Sequence, residues 1–332
     1  MNHPGHEVHP DRNDPRRSSR SICAALLVFA VGSIVDAAPA PPAPTHADVP
    51  YGSHPKQILD FYRAPSDRPT PVAFLIHGGG WSALSKDGAP RFLDIPRLHA
   101  AGISVVSIEY RFIQDAQAAK VHPPVKWPLE DAARALQFVR SKAQEWNLDK
   151  QRIGGCGGSA GACSALWLAL HDDMADPQSA DPVARESTRL SCAAVAGAQT
   201  TLDPQVMRAW IPNAHYGGHA FGFRDRKGQS KADEFQRFHD AREKLLPLIR
   251  EYSPITHASA DDPPLWLSYQ QKEPAVKGKD QQDPTHSASF GLLLREKLRP
   301  LGVELILTYP AAREGRLFNA TEYFLERWAK DR

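Results

Sequence analysis

Gly157-Gly158-Ser159-Ala160-Gly161 decides the reading of this chain. A G-x-S-x-G pentapeptide between a strand and a helix is the mark of a nucleophile elbow, a sharp turn that lifts a serine hydroxyl clear of the backbone. The flanks have the required character. Arg152-Ile153-Gly154 closes a short strand before the serine, and residues 162–170 continue as an apolar helix after it. Upstream, His77-Gly78-Gly79-Gly80-Trp81 follows the apolar run 72–76. Glycines after a buried strand let the backbone approach a substrate without a side chain in the way, and their N–H groups can face a developing oxyanion.

Working outward, 332 residues suit one large α/β domain or two smaller ones. A formal net charge of +2 with 23% charged residues gives no electrostatic footprint for nucleic acid or an anionic membrane surface. A hydrophobic fraction of 42% supplies a full core and argues against global disorder. Residues 1–37 are different material. Arg16, Arg17 and Arg20 precede a largely apolar stretch from Ile22 to Val35, and Val35 and Ala37 stand at the small-residue positions of a cleavage site. This reads as a signal peptide, because the apolar stretch falls short of the ~20 residues a spanning helix needs. The expectation is export, to periplasm or medium, without stable membrane insertion once the signal is cleaved. Residues 38–50, rich in Pro and Ala at their start, are expected to be a disordered linker. Beyond Cys23 three cysteines remain, Cys156, Cys163 and Cys192, an odd number that cannot form a closed disulfide framework. They read as small buried hydrophobes, with one Cys163–Cys192 bridge as the alternative.

From residue 51 onward, strands alternate with helical stripes. Residues 51–63 alternate as an outer antiparallel strand, and 72–76, 103–108, 191–197, 264–269 and 303–309 are short buried strands. Helices are expected near 90–101, 129–146, 290–301 and 320–330. Such alternation implies βαβ units and a mainly parallel sheet. The pattern breaks at about 201–256, where Trp210, His215, Tyr216, His219, Phe221 and Phe223 lie among glycines and a charge-rich helix follows from Asp233. Pro247 is expected to end or kink that helix. This insertion into residues 51–332 is expected to form a small cap over a pocket. No metal-ligand spacing is visible, and nothing in the pattern asks for a cofactor.

With these motifs in hand the chain resembles the α/β-hydrolase fold family, in the branch of hormone-sensitive lipase and bacterial acetyl and feruloyl esterases. The resemblance rests on His77–Trp81, Tyr110-Arg111, Leu129-Glu130-Asp131-Ala132, Gly157–Gly161, Ser253–His257 and Asp262–Leu265. It implies a serine esterase or lipase-like hydrolase of small acyl esters, acylated carbohydrate among them: Ser159 as nucleophile, and the N–H groups of Gly79, Gly80 and Ala160 as oxyanion hole. His77 would shape the loop. The strand 265–269 leads into Gln270-Gln271-Lys272-Glu273-Pro274, which puts Glu273 at the position of the triad acid. The family's basic histidine should follow the strand 303–309, and there the position falls on Glu314; no histidine occurs after His286. Two readings stay open. In one, His286 acts as base from the start of the following helix, with His122 as a weaker candidate. In the other, the chain is a catalytically silent or weak binding protein on the same fold. An exopeptidase is a poorer fit, since those enzymes usually carry a further large domain.

Overall fold

The buried apolar runs become the centre of one sheet in the computed structural model, which describes residues 42–224, 228, 230–313 and 319–329. In chain order the elements are β1 (His46–Pro50), β2 (Ile58–Tyr62), β3 (Thr70–Ile76), α1 (Ala89–Phe92), α2 (Ile95–Ala100), β4 (Ser104–Ile108), α3 (Ile113–Ala118), α4 (Lys126–Ser141), α5 (Ala143–Trp146), β5 (Leu148–Gly158) and α6 (Ala160–Leu170). There follow β6 (Cys192–Ala196), α7 (Pro204–Trp210), α8 (Lys231–Asp240), α9 (Arg242–Tyr252), β7 (Leu265–Ser268), α10 (Ser289–Leu298), β8 (Leu305–Tyr309), β9 (Ala312–Arg313) and α11 (Ala320–Ala329). The sheet order is β1-β2-β4-β3-β5-β6-β7-β8-β9, parallel from β4 to β8 and antiparallel at both edges. This is the α/β-hydrolase architecture, a mainly parallel sheet with helices on both faces. β3 and the second half of β5 are buried on both sides, which is why they read as unbroken apolar or glycine runs rather than as alternation.

The structure departs from several expectations. Residues 46–50, expected within a disordered linker, form β1. The strand is held by Asp48 N–H on the Asp60 carboxylate (2.9 Å) and by the Lys86 ammonium between Asp48 (2.8 Å) and Asp60 (2.9 Å). His46 also stacks on Phe61. A charged hub and an aromatic stack thus order an edge strand that composition alone assigns to a linker. Pro247 does not end the charge-rich helix expected from Asp233: that helix is α8, which stops at Asp240, and Pro247 lies inside the next one, α9 (Arg242–Tyr252). The expected single helix 129–146 begins earlier and divides into α4 and α5, and Asn147 in the left-handed region turns the chain into β5. Cys156, Cys163 and Cys192 are all buried free thiols, so no Cys163–Cys192 bridge forms, and burial pushes the Cys192 thiol up to about 12. The stretch 1–37 expected to be a signal peptide, Cys23 within it, and the position Glu314 lie outside the described residues. Among the described residues, no helix is long and apolar enough to cross a membrane.

The site end of the sheet is anchored by Asp131. This carboxylate is buried on α4, accepts both Nε and Nη2 of Arg111 at 2.6–3.1 Å, and also takes Gln57 Nε2 (2.8 Å) and the Arg111 N–H (2.9 Å). Trp127 covers the guanidinium at 4.0 Å. Removing one partner of a buried ion pair strands the other, so Asp131→Ala should lower unfolding stability by about 3 kcal/mol. Urea denaturation of the variant checks this, and an unchanged midpoint would show the pair to be dispensable.

Candidate active site

Ser159 sits between β5 and α6 with φ 54° and ψ −120°, a left-handed conformation that a side chain adopts only under constraint. The constraint comes from both neighbours. A Cβ at Gly161 would lie 2.0 Å from the Ile76 carbonyl oxygen, so only glycine lets the first turn of α6 press against the end of β3. On the other side Ser159 N–H donates to Ala196 O (2.9 Å), and Cys163 N–H donates to Ser159 O (3.0 Å). The hydroxyl is thereby aimed out of the sheet.

The loop after β3 faces it. Gly79, Gly80 and Trp81 are consecutive left-handed residues (φ 86°, 61° and 53°), a sequence of turns that leaves the amides of Gly79 and Gly80 without a hydrogen-bond acceptor among the described residues. Ala160 is the first residue of α6, whose N–H has no partner within the helix. His77 is buried with Nε2 on Glu109 (3.0 Å) and Nδ1 near Gly78 O (3.0 Å), while Tyr110 stacks on its ring and donates its hydroxyl proton to the carbonyls beneath. His77 is spent on the loop and does not reach Ser159. Trp81 Nε1 donates to Ser164 Oγ (2.9 Å), which ties the loop to α6.

The loop between β7 and α10 brings an imidazole to the serine. His286 Nε2 lies 2.9 Å from Ser159 Oγ. Its Nδ1 lies 2.8 Å from Asp283 Oδ2, and Asp283 Oδ1 accepts the N–H groups of Thr285 (3.0 Å) and His286 (3.1 Å). With Nδ1–H on the carboxylate, the Nε2 lone pair faces the hydroxyl. Gly197 backs the ring, with room for a hydrogen but little for a methyl, which would begin 3.2 Å from His286 Cδ2. Partial burial pushes the Asp283 carboxyl up, but the His286 ring and the two N–H groups outweigh it and hold it below the usual carboxylate range.

Glu273 is not the carboxylate beside the imidazole. Its Oε1 accepts the Gln282 N–H (3.2 Å), and among the described contacts none joins it to His286. The physical reason is that residues 270–282 form a loop of their own, closed by Gln271 and Gln281, which carries Glu273 to the flank of the site. Asp283 takes the place expected for Glu273. The signal for it is Asp-x-x-His: an aspartate three residues before a histidine can close a turn on the backbone and hold the ring with one side chain. His122 lies beside Gly222, and none of the described hydrogen bonds joins it to Ser159.

A cavity of about 500 Å³ opens over Ser159, Gly79, Gly80 and His286, and its far wall comes from the insertion: His215, Tyr216, His219, Arg224, Lys231 and Glu234. That wall is polar. His219 is buried with Nδ1 3.6 Å from Glu234, which also pairs with Arg224 (3.3 Å), and burial lowers the pKa of its imidazole. The His219 Nε2 and Tyr216 hydroxyl have no hydrogen-bond partner among the described residues. Read from sequence alone, His219 is a loop residue; only folding shows that it stands against the glycine loop, 3.5 Å from where a Gly80 side chain would begin.

Comparison with known proteins bears on this geometry. The model of the BD-FAE family matches residues 59–285. The chain is 32% identical over 143 residues to versiconal hemiacetal acetate esterase of Dothistroma septosporum, covering 43% of this chain and 41% of that protein. It is 28% identical over 252 residues to the probable carboxylic ester hydrolase LipM of Mycobacterium tuberculosis, covering 69% of this chain and 48% of that one. The chain thus spans less than half the length of these two relatives. Among solved structures it is similar to an acetyl ester-xyloside bifunctional hydrolase of Caldicellulosiruptor lactoaceticus, with a TM-score of 0.57 and 24% identity over 82% of this chain and 87% of that one. It is also similar to a thermophilic esterase of Thermogutta terrifontis, Est2 with propionate bound, with a TM-score of 0.57 and 20% identity over 88% and 94%. At these identities the structures speak to the fold.

Proposed function

The chain belongs to the BD-FAE family, and from that premise we propose that it hydrolyses carboxylic esters of small acyl groups through Ser159. The observation that carries the reading is the contact of Ser159 Oγ with His286 Nε2 at 2.9 Å, with Asp283 at 2.8 Å on the other ring nitrogen. Ser159 Oγ attacks the ester carbonyl carbon as His286 takes the hydroxyl proton. The carbonyl oxygen, now an anion, is held by the N–H groups of Gly79, Gly80 and Ala160, and each such donor commonly lowers the barrier by ~3–4 kcal/mol. Collapse expels the alcohol, which leaves with the proton from His286. Water then enters by the same route in reverse and frees the acid.

Asp283 serves in this reading as the group that fixes the tautomer and orientation of His286. The esterase names of the relatives support the reaction class. The polar cavity wall favours an alcohol portion that carries hydroxyl groups, such as an acylated carbohydrate, over a long alkyl chain. The leader pattern of residues 1–37 supports export, which cell fractionation of the tagged protein tests directly.

Release of p-nitrophenol from p-nitrophenyl acetate by the purified chain is the first test, run beside the octanoate ester. Acetate should be the better substrate. A chain inert toward acetate, butyrate and acetylated xylo-oligosaccharide would mark a silent binding protein instead.

A further inference from the structure

Away from the active site, His171, Glu251 and His257 bring one ligand atom each to within 4.8 Å of one another. His171 is the residue after α6, Glu251 lies in the last turn of α9, and His257 ends the 3-10 turn Pro254–His257. We propose that these three residues form a binding site for a divalent transition-metal cation, Zn²⁺ foremost.

Three observations carry this. Each imidazole has one nitrogen already spoken for by a carbonyl: His171 Nδ1 on Asp172 O at 2.9 Å, and His257 Nε2 on Glu251 O at 2.7 Å. Metal-binding histidines are usually oriented in this manner, by donating the far N–H to a carbonyl or carboxylate. In that neutral tautomer His171 Nε2 carries a lone pair that faces the Glu251 carboxylate at 3.4 Å, an arrangement relieved by a proton on the ring or by a cation held between the two. The distance is also long for a charge-assisted bond, which closes to about 2.7–2.9 Å. It is the separation of two ligands on one tetrahedral ion, since bonds of about 2.0–2.2 Å place ligand atoms about 3.3–3.5 Å apart. Third, the frame is fixed. The two imidazole rings lie 4.3 Å apart, Trp167 packs on His171, and Trp167 Nε1 donates to Glu251 O at 2.8 Å.

Two imidazoles and one carboxylate select Zn²⁺ and its neighbours over Mg²⁺ and Ca²⁺, which prefer oxygen alone. The sequence shows no metal motif because the ligands come from positions 171, 251 and 257, joined only when the end of α9 and the turn after it pack beside α6. The site lies at the far end of α6 from Ser159, about 16 Å along an 11-residue helix. A bound ion there clamps the elbow helix to the insertion and acts on stability rather than on the reaction.

The test is isothermal titration of Zn²⁺ into the full chain after EDTA treatment, with thermal unfolding in parallel. One equivalent should bind saturably, and zinc at about 100-fold above its dissociation constant should raise the unfolding midpoint by about 4 °C. His171→Ala and His257→Ala should each abolish the shift, and Glu251→Gln, which keeps the shape, should weaken affinity by roughly tenfold or more. His286→Ala should leave it intact. Absence of saturable binding below millimolar zinc would overturn the proposal. So would binding that survives in His171→Ala and His257→Ala but is lost in His286→Ala, which would place the ion at the active site.

Discussion

Replacing Ser159 by alanine is expected to reduce kcat for p-nitrophenyl acetate by about 10⁵–10⁶-fold while the protein remains folded. The alanine loses only the oxygen, so the elbow, the glycine loop and the cavity stay where they are, and a residual ~10³–10⁴ over water survives on the oxyanion donors and binding. Circular dichroism and the unfolding midpoint should match the parent. A variant that kept a tenth of the parent rate would remove Ser159 from the reaction and shift attention to water activated by His286.

The second large effect concerns the base and its carboxylate. His286→Ala should cost nearly as much as Ser159→Ala, and the double variant should cost little more, since groups that act on one proton are not additive. Asp283→Asn should lose less, about 10–10³-fold. A fully buried triad aspartate is worth ~10⁴, but the Asp283 side chain is 60% exposed, so water competes for its role. Glu273→Gln should leave kcat within about twofold of the parent. Should Glu273→Gln fall as far as Asp283→Asn, the acid would have to be reassigned to Glu273 with a loop movement.

Much of this was legible in the chain because it is local. The elbow and the glycine loop are short motifs whose flanking strands and helix are written beside them, and Ser159, Gly79, Gly80 and Ala160 come together because β3 and β5 are neighbours in a parallel sheet. His286 could be named only by elimination, since its contact with Ser159 spans 127 residues and depends on a loop. The resemblance points to Glu273 as the acid because it follows the strand that becomes β7, and that placement fails where a loop of some dozen residues folds on itself. The insertion was visible as a break in pattern. That it supplies one wall of the cavity, through His219 and Glu234, follows only from its packing.

The backbone at Ser159 carries a consequence for the history of the chain. A residue other than glycine held at φ 54° and ψ −120° costs of order 1–3 kcal/mol. Glycine would relieve that burden at once, and a protein needing only its pocket would drift toward it, since most lineages sit close to the threshold of stability. Serine at this strained position is a residue that a silent protein could exchange for glycine with a gain in stability. Its presence counts on the side of a working nucleophile.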